Sequence, residues 1–196
     1  VDSFQLQGKT DLFVRIASDP VSKSVGVTVE ISPKCKTRAR PREFPVPIEK
    51  ISGKIILQPD GKILLRQICG KVGAGEISVS DAAFQKSETS ELNIKTSLKS
   101  LKIDESLLQA VSSASKTDLS FLKMSGYADA ELLLRRPGGS KDVSLSCAVT
   151  LRDASVVHKD FPLPATEING YLKVTSQGIS IESLRGKCRS GTALIW

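Results

Sequence analysis

The sequence predicts a mainly β protein: repeated antiparallel modules forming a long curved sheet or groove, with one short helix near residues 104–114. Three observations carry that expectation. Apolar side chains recur at every second position along most of the chain. The sequence says nearly the same thing twice, about 117 residues apart, which marks a repeat architecture. One stretch alone leaves the period of two for a helical period.

The repeat is read from ordered anchors. "GKTDLFVRI" from Gly8 is answered by "GYADAELLL" from Gly126. "FPVPIEKISGKIILQPDGK" from Phe44 is answered by "FPLPATEINGYLKVTSQG" from Phe161, and "ICGKVGAGEISV" from Ile68 by "LRGKCRSGTALI" from Leu184. Phe44, Pro45, Pro47, Ile51, Gly53 and Gly61 pair with Phe161, Pro162, Pro164, Ile168, Gly170 and Gly178. Gly70, Lys71 and Gly75 pair with Gly186, Lys187 and Gly191. A unit this long is a multi-strand module rather than a small solenoid coil.

The strands follow in chain order. Leu12, Val14 and Ile16 alternate with Phe13 and Arg15, and Val25, Val27, Val29 and Ile31 alternate with Gly26, Thr28 and Glu30. Ile55 with Leu57, Ile77 with Val79, and Leu92 with Ile94 continue the pattern. Val143, Leu145, Cys147, Val149 and Leu151 close it. Strict alternation places one apolar row on one face of a pleat, so each segment is a strand with one dry side. Pro59-Asp60-Gly61, Gly73-Ala74-Gly75, Pro137-Gly138-Gly139 and Gln177-Gly178 supply the turns. Turns this short join antiparallel neighbours into a meander.

Between the copies, "DESLLQAVSSA" places Leu107, Leu108 and Val111 at helical spacing. Asp104 stands at the N-cap position and Glu105 in the first turn, so a short helix is predicted over 104–114. The chain therefore divides into a first β module (1–90), a connecting strand and helix (91–125) and a second, truncated module (126–196). Each module reads as two long strands, a loop ending in Phe-Pro-x-Pro, and three shorter strands. The loop prolines suit strand entry, where no ladder donor is needed.

Composition bounds the possibilities. Hydrophobic residues make up 40%, with one Trp, two Tyr and six Phe, so the interior is aliphatic. No apolar run reaches the roughly 18 residues of a membrane-spanning helix. No signal peptide is visible, and the chain reads as a segment of a longer protein. Cys35, Cys69, Cys147 and Cys188 have no CxxC spacing and occupy non-equivalent places in the two copies. Neither a zinc site nor a repeated disulfide framework is predicted. Cys147, at an apolar position of its strand, is read as a small buried hydrophobe.

An apolar sheet face must be covered by another sheet, helices or a ligand. One short helix is too little, which leaves a closed sandwich or barrel, or a curved sheet whose concave side is an apolar groove. Periodicity by itself favours the ordinary closed core. If the groove is open, its lining candidates are Val25, Val27, Val29, Ile31, Ile55, Leu57, Val143, Leu145, Val149 and Leu151.

Polar motifs point to no catalysis. Lys34, Lys36, Arg38, Arg40 and Arg42 recur at alternate positions of "PKCKTRARPRE", and most of the formal charge of +7 comes from this loop. An extended loop would project all five to one side. Three roles suit it: a solvated loop, a landing patch for anionic lipid head groups, or phosphate contacts to nucleic acid. The second copy has "RDASVVHKD" there, so the charge is no property of the module. Without interleaved stacking aromatics, nucleic acid is not an expected partner. His158 has no nucleophile elbow around it. "GKVGAGE" lacks the Lys-Ser/Thr and the following helix of a phosphate loop. Neither an enzyme nor a cofactor is expected.

The repeated layout resembles the AsmA-like superfamily of bacterial envelope proteins. The features that carry the resemblance are Phe-Pro-x-Pro, the Gly-initiated strand "ISGKIILQPDGKILL", the turn and strand "ICGKVGAGEISVS", and the link "LNIKTSLKSLKIDESLLQAVSSA" running to "LKMSGYADAELLL". It extends over roughly residues 8 to 196 as a similarity of pattern. It implies a long, twisted trough with an apolar lining, held from the inner membrane, lying on the periplasmic side and serving phospholipid transport toward the outer membrane. The anchor would lie outside this segment. Acyl chains would rest on the apolar rows, each buried methylene contributing about 0.8 kcal/mol. The alternative is a structural or adhesion module of tandem β-sandwiches with closed cores and no ligand.

Overall fold

A computed structural model describes residues 4–19, 24–34, 37–41, 46–85, 90–115, 118–175, 178–188 and 191–195. Among them, thirteen strands form one antiparallel sheet with a single helix. The first part runs β1 (Phe4–Gln7), β2 (Leu12–Asp19), β3 (Ser24–Ile31), β4 (Arg38–Pro41), β5 (Ile48–Leu57), β6 (Lys62–Val72) and β7 (Gly75–Gln85). β8 (Leu92–Ile103) and α1 (Glu105–Ser115) follow. The chain then continues through β9 (Leu122–Arg136), β10 (Ser144–His158), β11 (Phe161–Thr175), β12 (Gly178–Cys188) and β13 (Gly191–Ile195). The predicted mainly β class, the single curved sheet and the short helix all stand. Asp104 caps α1 as its position foretold, its Oδ1 accepting from the Leu107 amide at 3.1 Å.

The strand order is a meander: β5 through β13 each pair with the next strand in sequence. The described strands thus make one ladder, with no separate facing sheet of the kind a tandem sandwich needs. The two copies superpose in this order, with β2, β3, β5, β6 and β7 answered by β9 to β13, and β8 joining β7 to β9. In the first copy β5 is flanked by two short strands, β3 along Gly53–Leu57 and β4 at Ile48 and Glu49. In the second, the single strand β10 flanks β11 from Thr175 to Phe161, with register shifts after Leu151. The loop carrying the basic residues is where the first copy interrupts that strand.

Close packing of backbone explains why glycines anchor the repeat. A Cβ on Gly53 would lie 2.6 Å from the Gln67 carbonyl oxygen, and one on Gly170 would lie 2.1 Å from that of Ser183. Gln67 and Ser183 occupy matching places on the next strand, so both copies require the same absent side chain. The prolines needed correction in one copy. Phe161-Pro162-Leu163-Pro164 lies inside β11 rather than in a loop. β12 begins to pair only at Ala165, so these prolines meet no ladder on that side. The expectation of two long strands followed by three shorter ones fails in the first copy, where β2 and β3 have 8 residues each and β6 and β7 have 11. In the second it holds only for β12 and β13, since β9, β10 and β11 have 15 residues each.

Curvature has an identifiable source. Lys50, Gln67, Ser100, Asp153 and Glu167 hold left-handed backbone inside strands. The register of the neighbouring ladders slips at or beside each of them. Such bulges bend a strand and increase its twist. Side chains on the polar face brace them. Asp129 Oδ1 accepts from the Ser100 amide at 2.7 Å and from Arg152 Nη2 at 2.8 Å. Asn169 Oδ1 accepts from the Asp153 amide at 3.0 Å, while its Nδ2 donates to the Glu167 carbonyl at 3.0 Å.

Candidate functional site

The site is the apolar face of the sheet. Cross-strand partners share a face, so register alone shows which side chains line up. One row runs Val14–Val29–Ile55–Leu65–Ala82–Ile94–Leu134–Leu145 across eight strands, every member apolar. A second runs Ile77–Leu98–Ala130–Val149–Leu172–Ile181 across β7 to β12. The opposite face carries charge: Arg38, Glu49, Lys71, Glu76 and Lys99 succeed one another across β4 to β8 with alternating sign. Opposite charges placed directly across strands stabilise a solvated surface. That face is not charged throughout, since Ile56, Leu64 and Ala83 also line up on it. Only the face of Val14 and Ile55 carries an apolar row across eight strands.

The helix covers one end of the dry side. Beneath α1, Ile103, Ala128, Leu151, Ala154 and Ile168 form a buried cluster onto which Leu107 and Leu108 of the helix pack. Ala39, Val72 and Ala82 are buried outside that cluster. Away from the helix the same face opens. Val14 is 52% exposed, Ile16 69%, Val25 51% and Leu145 38%. No large side chain among the described residues is fully buried. Contiguous exposed apolar surface of this kind marks a place where something binds. Beside the helix, a cleft of about 800 Å³ is lined by Leu108, Leu119, Leu122 and Met124, with Glu105 and Lys123 at its rim.

Of the predicted lining residues, Val27, Val29, Ile31 and Ile55 are half-buried on this face, and Val25, Leu57 and Leu145 are exposed on it. Val149 is half-buried and packs against the cluster. Leu151 belongs to the sealed end, at 8% exposure, and is not open to a ligand. Val143 is exposed and stands one residue before β10 begins. The predicted lining left out Leu65, Ala82, Ile94, Leu98, Leu134 and Leu172, which belong to the rows. In β6 the run Ile63-Leu64-Leu65 hides its alternation, whereas in β8 the Leu92/Ile94 alternation carried the signal.

The basic residues do not form one extended row. Lys34 lies in a turn after Pro33, Arg38 and Arg40 fall in β4, and Lys36 and Arg42 lie outside the described residues. Arg38 forms an ion pair with Glu49, so its charge is already met. Cys147 sits in the apolar face between Leu132 and Val174, half-buried rather than buried, and loss of water around it pushes its thiol pKa up. Cys35 is outside the described residues. His158 serves a turn: its Nδ1 accepts from the Asp160 amide at 3.1 Å, and its ring centroid lies 5.2 Å from that of Phe121.

No helix among the described residues is long and apolar enough to cross a membrane. No protein-family model, curated protein or solved structure matches the chain.

Proposed function

We propose that this chain is a stretch of a lipid-conducting trough: it holds the acyl chains of phospholipid against its apolar face and lets them slide, without catalysis. The observation that carries this reading is the unbroken apolar row from Val14 to Leu145. At the usual strand spacing that row is roughly 30 Å long, about the thickness of a bilayer's hydrocarbon core. Neighbouring positions along it are near-equivalent, which favours movement over tight fixation. Burial at about 0.8 kcal/mol per methylene supplies affinity without polar contacts. Head groups would stay in water at the open lip. The reading places the chain with the AsmA-like superfamily, on the periplasmic side of the bacterial envelope, in phospholipid traffic between the membranes.

The test is mass spectrometry of organic extracts from the folded, purified chain beside a control protein from the same host. Near-stoichiometric phospholipid is the expected result. A clean extract from folded protein would overturn the reading and leave a structural repeat.

A further inference from the structure

The internal repeat provides a control for the sheet's first edge. β2 and β9 occupy the same place in the two copies, with Leu12, Val14 and Ile16 answering Ala130, Leu132 and Leu134. Four residues ahead of these triplets each copy has a glycine of positive φ, Gly8 at 113° just before β2 and Gly126 at 121° within β9. Each of the two strands pairs on one side with its hairpin partner, β3 or β10. On the other side they differ. β8 pairs with β9, setting Leu98 against Ala130, Thr96 against Leu132 and Ile94 against Leu134. Among the described residues no strand takes that place on β2, and β2 pairs β3 alone. The consequence shows in exposure: Leu12 is 53% exposed where Ala130 is 8%, and Ile16 is 69% exposed where Leu134 is half-buried.

We propose that the free edge of β2 is a docking site for a β-strand of β8's pattern, donated antiparallel by another polypeptide segment. The repeat specifies the register. Residues in the places of Leu98, Thr96 and Ile94 would stand opposite Leu12, Val14 and Ile16, extending the apolar rows by one strand. It also specifies a difference from β8. On the outer face β8 sets Lys95 against Leu133, but the matching residue of β2 is Arg15. Like charges directly opposite are destabilising, so the incoming strand carries an acidic or neutral residue there. Addition of a strand to an exposed edge is an established mode of peptide recognition, with main-chain bonds giving affinity and alternate side chains specificity. This inference is independent of the lipid reading, since it rests on hydrogen bonding at an edge.

The probe is a synthetic peptide of residues 91–104, made as the native sequence and with Lys95→Glu. Hydrogen exchange of the whole chain is followed with each. The expected result is at least tenfold slower exchange confined to β2, reached at lower concentration with the Lys95→Glu peptide. That protection should be lost in a Val14→Lys chain whose β10 and β11 amides exchange as before. No protection of β2, or equal protection by a scrambled peptide, overturns the proposal. So does protection that rises with protein concentration when peptide is absent, because a second copy then fills the edge.

Discussion

Lys50 and Glu167 hold the same left-handed backbone, at φ 53° and 52°, at the same position of their repeats. They are opposite in charge, so the shared feature is the conformation and not the side chain. Each sits three residues before the glycine that admits the next strand, Gly53 or Gly170. Bulge and close approach therefore come as a unit in both copies.

Left-handed backbone costs a residue with a Cβ on the order of 1–2 kcal/mol, and glycine avoids most of that. Lys50→Gly should therefore raise stability by roughly 0.5–1 kcal/mol, while Lys50→Val, with a branched Cβ, lowers it by about 1 kcal/mol or more. Glu167→Gly gains less, because it also loses the 2.7 Å ion pair with Lys187, which at half-exposed positions contributes under about 1 kcal/mol. Urea midpoints decide the matter, and a valine variant as stable as the glycine variant would contradict the assigned conformation.

A charge in the middle of the dry face should empty it. Val27 lies between Ile16 and Leu57, and Leu145 is opposite Leu134. Val27→Asp and Leu145→Asp are expected to fold, by circular dichroism, and to lose co-purifying phospholipid. Unchanged lipid content in a folded Val27→Asp protein would count decisively against an acyl chain on this row.

Cys147 reports on the same face without a change of sequence. Its raised pKa leaves less thiolate at a given pH, so at pH 8 it should alkylate more slowly than the exposed Cys69. Its rate should go on rising as pH is raised, because burial favours the neutral thiol. Extraction of bound lipid should speed the reaction at Cys147 alone, as read by peptide mass mapping. Equal rates at the two thiols before and after extraction would refute the shielding.

Contact of the basic loop with anionic head groups is tested separately. Neutralising Arg38, Arg40 and Arg42 together is expected to weaken binding to anionic vesicles, at about 1 kcal/mol per charge that reaches the surface. Added salt should do the same as the Debye length shrinks. Arg38→Gln alone should change little, since Glu49 already neutralises that guanidinium. Vesicle co-sedimentation measures all three, and equal binding by the triple variant dismisses the contact.

What the sequence disclosed was whatever a local period or cap could encode. Val25 to Ile31 and Leu145 to Leu151 alternate without exception, and Asp104 capped its helix as its position required. The choice between a closed core and an open face was not legible, because alternation is the same in both. It depends on β8 pairing with both β7 and β9, which joins the two copies in one open sheet, and no residue type announces that. The bulges escaped notice since Lys50 and Glu167 are unremarkable in type. Of the basic row, Arg38 and Arg40 alternate along β4, whereas Lys34 stands in a turn with Pro33 that alternation of charge does not announce.

The order of pairing has a consequence for how the chain reaches this structure. From β5 to β13 each strand is bonded to the next one in sequence, so no distant loop must close before a contact is made. Chain closure in such a meander costs little entropy at each step. Either copy can supply the first hairpin, and structure can then spread strand by strand in both directions, as in linear repeat proteins. The molecule assembles like a zipper, and it should come undone from its two outer strands inward.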